Sequence, residues 1–191
     1  MNTISITHST MKLNNYIRVA PAFAPDNCHD LISTFNENKD QHVHRLNRVQ
    51  AFKELNYNRV APEHTLNCLA RKIKTLVNIY KDHNPHGGRF FPDRYGVEEF
   101  RIKCYNEGED CFSQHVDIGD LSSSKRFLAF LFYLNDDFDG GNTVFKLPEK
   151  IAIKPVQGDV LMFPPTWQYP HEGKPVINGT KYIMSTYLNY V

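Results

Sequence analysis

The spacing of apolar residues changes character near residue 98. Before it, two stretches carry apolar side chains at three- and four-residue steps, as helices do when one face packs on something larger. The first opens at Pro25, covers residues 26–35 and puts Leu31, Ile32 and Phe35 on a shared face; proline suits the first helical position and Asp26 the first turn. The second and clearer one opens at Pro62 and Glu63 and spaces Leu66, Leu69, Ile73, Leu76, Val77 and Tyr80 along a stripe, with Arg71, Lys72 and Lys74 elsewhere on the wheel. Around them, residues 1–14 are polar and expected to fray, residues 16–19 alternate as a strand, and residues 36–47 read as a polar connection. Residues 48–60 fit a short strand or a loop. Residues 82–97, punctuated by Pro85, Gly87 and Gly88, read as a long exposed loop.

From residue 98 the period is two, or the apolar run is unbroken. Residues 99–105 alternate as a strand, residues 106–110 form a turn, and residues 111–117 are the next strand. Residues 126–134 are apolar at nearly every position, which predicts a strand buried on both faces. Short strands follow at 143–145, 151–153 and 160–163, and the last one, 181–190, comes after the turn dipeptide Asn178-Gly179. Many short strands in series behind two helices predict an α+β, mainly β, fold: a sandwich or barrel with supporting N-terminal helices. The 191 residues fit one domain, with helical support over about 15–97 and a β-core over about 98–191.

Composition narrows the function classes. The 41% hydrophobic and 23% charged residues are those of a soluble globular protein, and 13 Phe with 10 Tyr suit a β-rich core or a substrate cleft. A net charge of +1 gives no bulk attraction to nucleic acid or membrane. Basic residues predominate before residue 106 and acidic ones after it, a pattern read as solvated surface, with steering of an anionic ligand as the alternative. Cys28, Cys68, Cys104 and Cys111 make no C-x-x-C pair and no zinc spacing, so free thiols in a reducing compartment are expected. Nothing near the start resembles a signal peptide and no stretch reaches transmembrane length, which leads to a cytoplasmic expectation.

The candidate chemistry lies in Gln114-His115-Val116-Asp117. On a strand, His115 and Asp117 would share a face and reach one ion. A third ligand is available in His171, within Tyr169-Pro170-His171-Glu172-Gly173, where Pro and Gly mark a strand end. Two imidazoles and one carboxylate on one side of a metal form the facial triad of non-haem Fe(II) oxygenases, with open positions opposite. His-x-Asp arises easily by chance, so its context decides. His83 and His86 sit in a Gly-Pro loop that holds metals poorly, and His42 and His44 would share a strand face with no carboxylate close in sequence. His8, His29 and His64 read as surface or structural.

That context resembles the 2-oxoglutarate- and Fe(II)-dependent dioxygenases, most closely their prolyl 4-hydroxylase-like branch. Tyr105, Gly108 and Phe112 precede His115 and Asp117; an Arg-led apolar strand runs from Arg126 into Tyr133-Leu134-Asn135-Asp136; then come Gly140-Gly141-Asn142-Thr143-Val144-Phe145 and Gly158-Asp159-Val160-Leu161-Met162-Phe163. The closing block is His171-Glu172-Gly173-Lys174-Pro175-Val176, with Gly179 and Lys181. These blocks occur in the family's order over residues 98–190.

The resemblance implies a double-stranded β-helix (jelly roll, cupin-like) with Fe(II) held by His115, Asp117 and His171, which are also the catalytic residues. It implies 2-oxoglutarate as co-substrate, its distal carboxylate paired with Lys181, with Tyr105 and Tyr133 near it, O2 as oxidant and ascorbate as a further candidate cofactor. A buried distal carboxylate needs a cation, which fits Lys181. Strand parity adds Ser185 and Tyr187 to the face of Lys181, and Ala129 to that of Tyr133. Ala129 stands where some relatives have Thr and Tyr187 where many have Trp, so the substrate does not carry over. Arg126 reads as structural, and Thr143 as shaping its turn with a pocket role open. The carboxylate of Asp117 favours hydroxylation over halogenation.

The function expected is hydroxylation of a C–H bond, of a prolyl residue in a peptide or protein, with succinate and CO2 as co-products. The loops 82–97 and 118–125 are candidate walls or lids over an extended peptide. A free amino acid or other small molecule is the alternative substrate, and a non-catalytic β-domain that binds a partner is the alternative from another class. No nucleic-acid motif is present.

Overall fold

The computed structural model describes residues 13–108, 110–147 and 149–191. Residues 1–12, including His8, and Glu109 in the turn after residue 105 lie outside the described residues.

Helix α1 (Pro25–Glu37) starts with proline in its first turn, followed by Asp26, and buries Cys28, Leu31 and Phe35. Helix α2 (Glu63–His83) buries Leu69, Ile73, Leu76, Val77 and Tyr80, the stripe expected from its spacing. The Tyr80 hydroxyl donates to the Tyr16 carbonyl at 2.9 Å and ties the helix to the chain ahead of the first strand.

The strands are β1 (Arg18–Pro21), β2 (Val43–Leu46), β3 (Gln50–Asn56), β4 (Tyr95–Val97), β5 (Arg101–Asn106), β6 (Cys111–His115) and β7 (Arg126–Tyr133). They continue with β8 (Asp139–Gly140), β9 (Thr143–Phe145), β10 (Ile151–Ile153), β11 (Asp159–Phe163), β12 (His171–Gly173), β13 (Val176–Asn178) and β14 (Thr180–Tyr190). The main sheet runs β1-β11-β7-β14-β5-β3-β6-β12-β9-β10, with β2 on β3, β4 on β14, and every pairing antiparallel. A small second sheet pairs β13 with β8. The main sheet rolls up: Tyr133 on β7 donates to Thr143 Oγ1 on β9 at 2.9 Å, although these strands lie far apart in the strand order.

Alternation along the central strands sorts their side chains between two clusters. Ile102, Cys104, Leu128, Phe130, Phe132, Val160, Met162, Met184 and Leu188 meet α1 and α2 on the convex side. Tyr105, Ala129, Tyr133, Leu161, Phe163 and Ile183 point into the rolled side, with Phe145 and Val176. Burial of β7 on both faces explains its unbroken apolar run.

Three expected elements differ. The first strand begins at Arg18, because its ladder with β11 runs from Arg18 opposite Met162 to Pro21 opposite Asp159, and the residues before it form a 3₁₀ turn, Leu13–Tyr16. Residues 36–47 are more than a polar connection: Lys39–Gln41 is a 3₁₀ turn and β2 (Val43–Leu46) pairs with β3, whose range 50–56 takes the strand reading of residues 48–60. Residues 82–97 are not a free loop: α2 reaches His83, Pro85–Gly88 is a helical turn, β4 pairs with β14, and Phe91 packs on Tyr80 and Phe127. Their aromatic anchors belong to the convex cluster and none of them lines the inner cavity, so this segment is not a wall of the site. No helix among the described residues is long and apolar enough to cross a membrane.

Candidate active site

The rolled side of the sheet encloses a cavity with His115, Asp117 and His171 on its wall. His171 opens β12 and lies directly opposite His115, the last residue of β6, in an antiparallel pair. Cross-strand partners have close Cβ atoms, and here the two imidazole centroids are 4.3 Å apart. Asp117 departs from the expected strand, since β6 stops at His115 and the chain bends. Two contacts aim it instead of a ladder: Arg126 Nη1 donates to its carbonyl at 2.9 Å, and the Tyr187 hydroxyl donates to Oδ1 at 3.0 Å.

The result is one nitrogen from each histidine and a carboxylate oxygen within 4.8 Å of one another. Asp117 Oδ1 is 3.5 Å from His115 Nε2, and Oδ2 is 3.7 Å from His171 Nε2. Each Nδ1 meets the backbone carbonyl two residues earlier in the chain, Ser113 at 2.8 Å for His115 and Tyr169 at 3.1 Å for His171. A carbonyl only accepts, so Nδ1 carries the proton in both rings and the Nε2 lone pairs face the cavity. Phe112 stacks on His115 with centroids 3.5 Å apart, while Phe163 meets His171 edge-on at 4.8 Å, which fixes the ring planes.

Burial alone would raise the Asp117 pKa, but positive charge beside it, on the imidazoles when they are protonated and on Lys103, outweighs burial and brings the carboxyl down to about 2. Burial also lowers the His171 pKa, against the pull of Asp117, and so favours the neutral ring. Burial and the nearby Asp117 charge push the Tyr187 hydroxyl well above its ordinary value, so it stays a donor.

Deeper in the cavity, Lys181 is 4% exposed. Its ammonium donates to the Gly141 carbonyl and lies 5.6 and 5.8 Å from the ring centroids of Tyr105 and Tyr133. No carboxylate of the described residues forms an ion pair with it, and burial pulls its pKa down to about 7. A buried ammonium with one carbonyl acceptor suits an incoming anion. Gly141 makes room for it: its φ is +62°, and a Cβ there would sit 2.7 Å from the Phe138 ring and 3.1 Å from the Lys181 stem.

The cavity thus gathers His115, Asp117, His171, Lys181, Tyr105, Ser185, Ala129, Thr143 and Tyr187. Tyr133 stands behind the wall, with its hydroxyl on Thr143. Sequence reasoning took Arg126 as structural only and left out Glu98 and Lys103. Arg126 pairs with Glu98 through two bonds of 2.7 and 2.9 Å and stacks 3.9 Å over the Tyr187 ring, so it links strand, bend and phenol. Glu98 lies 28 residues away and gave no local signal. Lys103 also faces the cavity; its parity with Tyr105 on β5 was the available clue. The donor set of two neutral imidazoles and a carboxylate, beside a buried cation, fits Fe(II) and a dicarboxylate.

Comparison with known proteins agrees with this geometry. A model of the 2OG-Fe(II) oxygenase superfamily matches residues 100–189, which carry all of the residues gathered above. A protein of Acanthamoeba polyphaga mimivirus, provisionally named a prolyl 4-hydroxylase, is 34% identical over 104 residues, 50% of this chain and 40% of that protein. The chain therefore spans less than half the length of that relative. Among solved structures, a viral collagen prolyl hydroxylase from Paramecium bursaria Chlorella virus-1, in complex with 2OG, aligns with a TM-score of 0.71 and 20% identity over 92% of this chain and 97% of its own. A Pseudomonas putida prolyl-4-hydroxylase aligns with a TM-score of 0.70 and 16% identity over 92% and 93%. A Trichoplax adhaerens prolyl hydroxylase, in complex with a hypoxia inducible factor peptide fragment, aligns with 0.72 and 18% over 92% and 84%. These likenesses establish the jelly-roll fold expected above.

Proposed function

We propose, from the match of residues 100–189 to the model of the 2OG-Fe(II) oxygenase superfamily, that the chain is an Fe(II)- and 2-oxoglutarate-dependent dioxygenase that hydroxylates a C–H bond. The observation that carries the reading is the convergence of two lone-pair-bearing Nε2 atoms and the Asp117 carboxylate in the cavity that also buries Lys181. His115, Asp117 and His171 would hold the ion. Lys181 would receive the distal carboxylate of 2-oxoglutarate, with Tyr105 beside it and Ser185 and Thr143 on the wall. Tyr133 would act through Thr143, whose hydroxyl it orients.

When bound, the ion and co-substrate supply oxidative decarboxylation: substrate, 2-oxoglutarate and O2 give hydroxylated substrate, succinate and CO2. The chain supplies position and dryness. Its Nδ1–H bonds to backbone carbonyls hold both imidazoles as neutral donors, and Tyr187 keeps Asp117 turned toward them. Phe112, Phe163 and Ile183 exclude water around the reacting region, which strengthens every charge interaction inside.

A prolyl residue in a peptide or protein is the proposed substrate, and residues 1–191 are proposed to act as one domain in the cytoplasm. The mimivirus and Trichoplax proteins support the prolyl class by their names. The 118–125 loop, anchored where Ile118 N–H meets the Pro165 carbonyl at 3.2 Å, is the proposed wall beside Asp117. Succinate release across proline-containing peptides and free amino acids tests this. Release stimulated by a peptide and not by free proline is the expected result; stimulation by free amino acids alone would replace the substrate class.

A further inference from the structure

Lys103 is a second buried cation in the same cavity, and among the described residues it forms no ion pair. It sits on β5 two residues before Tyr105, is 9% exposed, and lines both the triad's cavity and the groove that opens from it. Its ammonium lies 5.2 Å from the Phe52 ring centroid and 5.7 Å from that of Phe112. Aromatic faces offset part of its charge but accept none of its three N–H bonds in the way an oxygen would.

The acids of the groove are already engaged. Glu54, opposite Lys103 across the β3–β5 ladder, is gripped by Arg45 at 2.8 Å and Arg101 at 3.4 Å. Glu99 pairs with Arg101 at 2.7 Å, and Glu98 with Arg126 at 2.7 Å. Among the described residues, none of these acids nor Asp117 forms an ion pair with Lys103. On the proposed dioxygenase reading, a divalent ion, Asp117, dianionic 2-oxoglutarate and Lys181 sum to zero charge. Lys103 then remains as an uncompensated cation between the reacting centre and the groove, and a buried charge of that kind calls for an anion.

We infer that Lys103 recognises a carboxylate carried by the substrate. The inference rests on the dioxygenase reading and narrows its substrate class to molecules with an acidic group near the hydroxylated carbon. That group is either the α-carboxylate of a free amino acid or the side chain of Asp or Glu next to the target residue of a peptide. Charge-assisted bonds at a desolvated site give discrimination of about tenfold or more between a carboxylate and its amide.

The test is anaerobic titration calorimetry on protein loaded with Fe(II) and 2-oxoglutarate, using two pairs of probes. One pair is L-proline and L-prolinamide; the other is the N-acetyl, C-amidated dipeptides Pro-Glu and Pro-Gln. The wild type should bind the acidic member of one pair about tenfold or more tightly, and which pair responds identifies the source of the carboxylate. Lys103→Met should abolish the preference and Lys103→Arg should keep part of it. Equal affinities in both pairs, or no saturable binding by either acid, would overturn the inference on wild-type protein alone, whatever the variants do. A preference that survives Lys103→Met, or loss of 2-oxoglutarate binding in that variant, would assign the lysine elsewhere and overturn it too. The loading step separates the two readings: wild-type protein that takes up no Fe(II) and 2-oxoglutarate fails the dioxygenase reading first.

Discussion

On β14, Met184 and Leu188 face the helices while Lys181, Ile183, Ser185 and Tyr187 face the cavity, so alternate residues of one strand serve two different environments. The convex side buries mostly hydrocarbon, and each residue there stabilises the fold in proportion to the area it removes from water. The rolled side buries Lys181, Lys103, Asp117 and His171, whose desolvation opposes folding until partners arrive. Stability and function should therefore separate by strand parity.

The largest effect is expected on the convex side. Phe132, 1% exposed with its ring 4.9 Å from that of Phe23, leaves a large void as Phe132→Ala, and urea unfolding should show a loss of about 3–5 kcal/mol. On the rolled side Lys181→Met should act in the opposite sense. Without ligand it removes a buried, unpaired charge and should leave stability unchanged or raise it by about 1 kcal/mol or more. Its affinity for 2-oxoglutarate should fall by about 100-fold or more, since the distal carboxylate loses its cation. A Lys181→Met protein that is destabilised yet still binds the co-substrate would break the comparison.

The pH dependence sharpens the same contrast. Burial holds Lys181 near 7 in the ligand-free fold, below its ordinary value of 10.5, so the unfolded chain binds more protons between those limits. The Lys181 contribution to ligand-free stability is thus present above pH 10.5 and is lost as pH falls through about 7. Binding a dicarboxylate requires the charged form, so above pH 7 association should take up a proton and weaken by about tenfold per pH unit. Calorimetry in buffers of different ionisation enthalpy would detect that proton, and Lys181→Met should abolish it. A smaller change is expected from Tyr187→Phe, which keeps the ring under Arg126 but removes the bond to Asp117: metal affinity should drop about tenfold, with stability within about 1 kcal/mol of wild type.

How much of this was legible in the sequence follows from the same geometry. The unbroken apolar run of residues 126–134 implied two buried faces, and parity alone placed Ser185 and Tyr187 with Lys181 and Ala129 with Tyr133. The α2 stripe was visible because one helix face carries nearly all of its apolar residues. Asp117 was placed near His115 by a strand argument, yet the strand ends at His115 and contacts from Arg126 and Tyr187 do the aiming. Those contacts join residues 9 and 70 positions apart, and the Arg126–Glu98 link spans 28, so no local pattern announces them. Residues 82–97 looked free because Gly and Pro dominate locally, while Phe91 and Tyr95 take their partners from the convex cluster.

The claim that the rolled side is an iron and 2-oxoglutarate site is tested most directly by anaerobic absorption spectroscopy. Wild-type protein titrated with Fe(II) and 2-oxoglutarate together should develop a saturable visible metal-to-ligand band that neither produces alone, and Asp117→Ala, still folded by circular dichroism, should lose it. A wild-type protein with no such band, or a folded Asp117→Ala variant that retains it unchanged, would contradict the account.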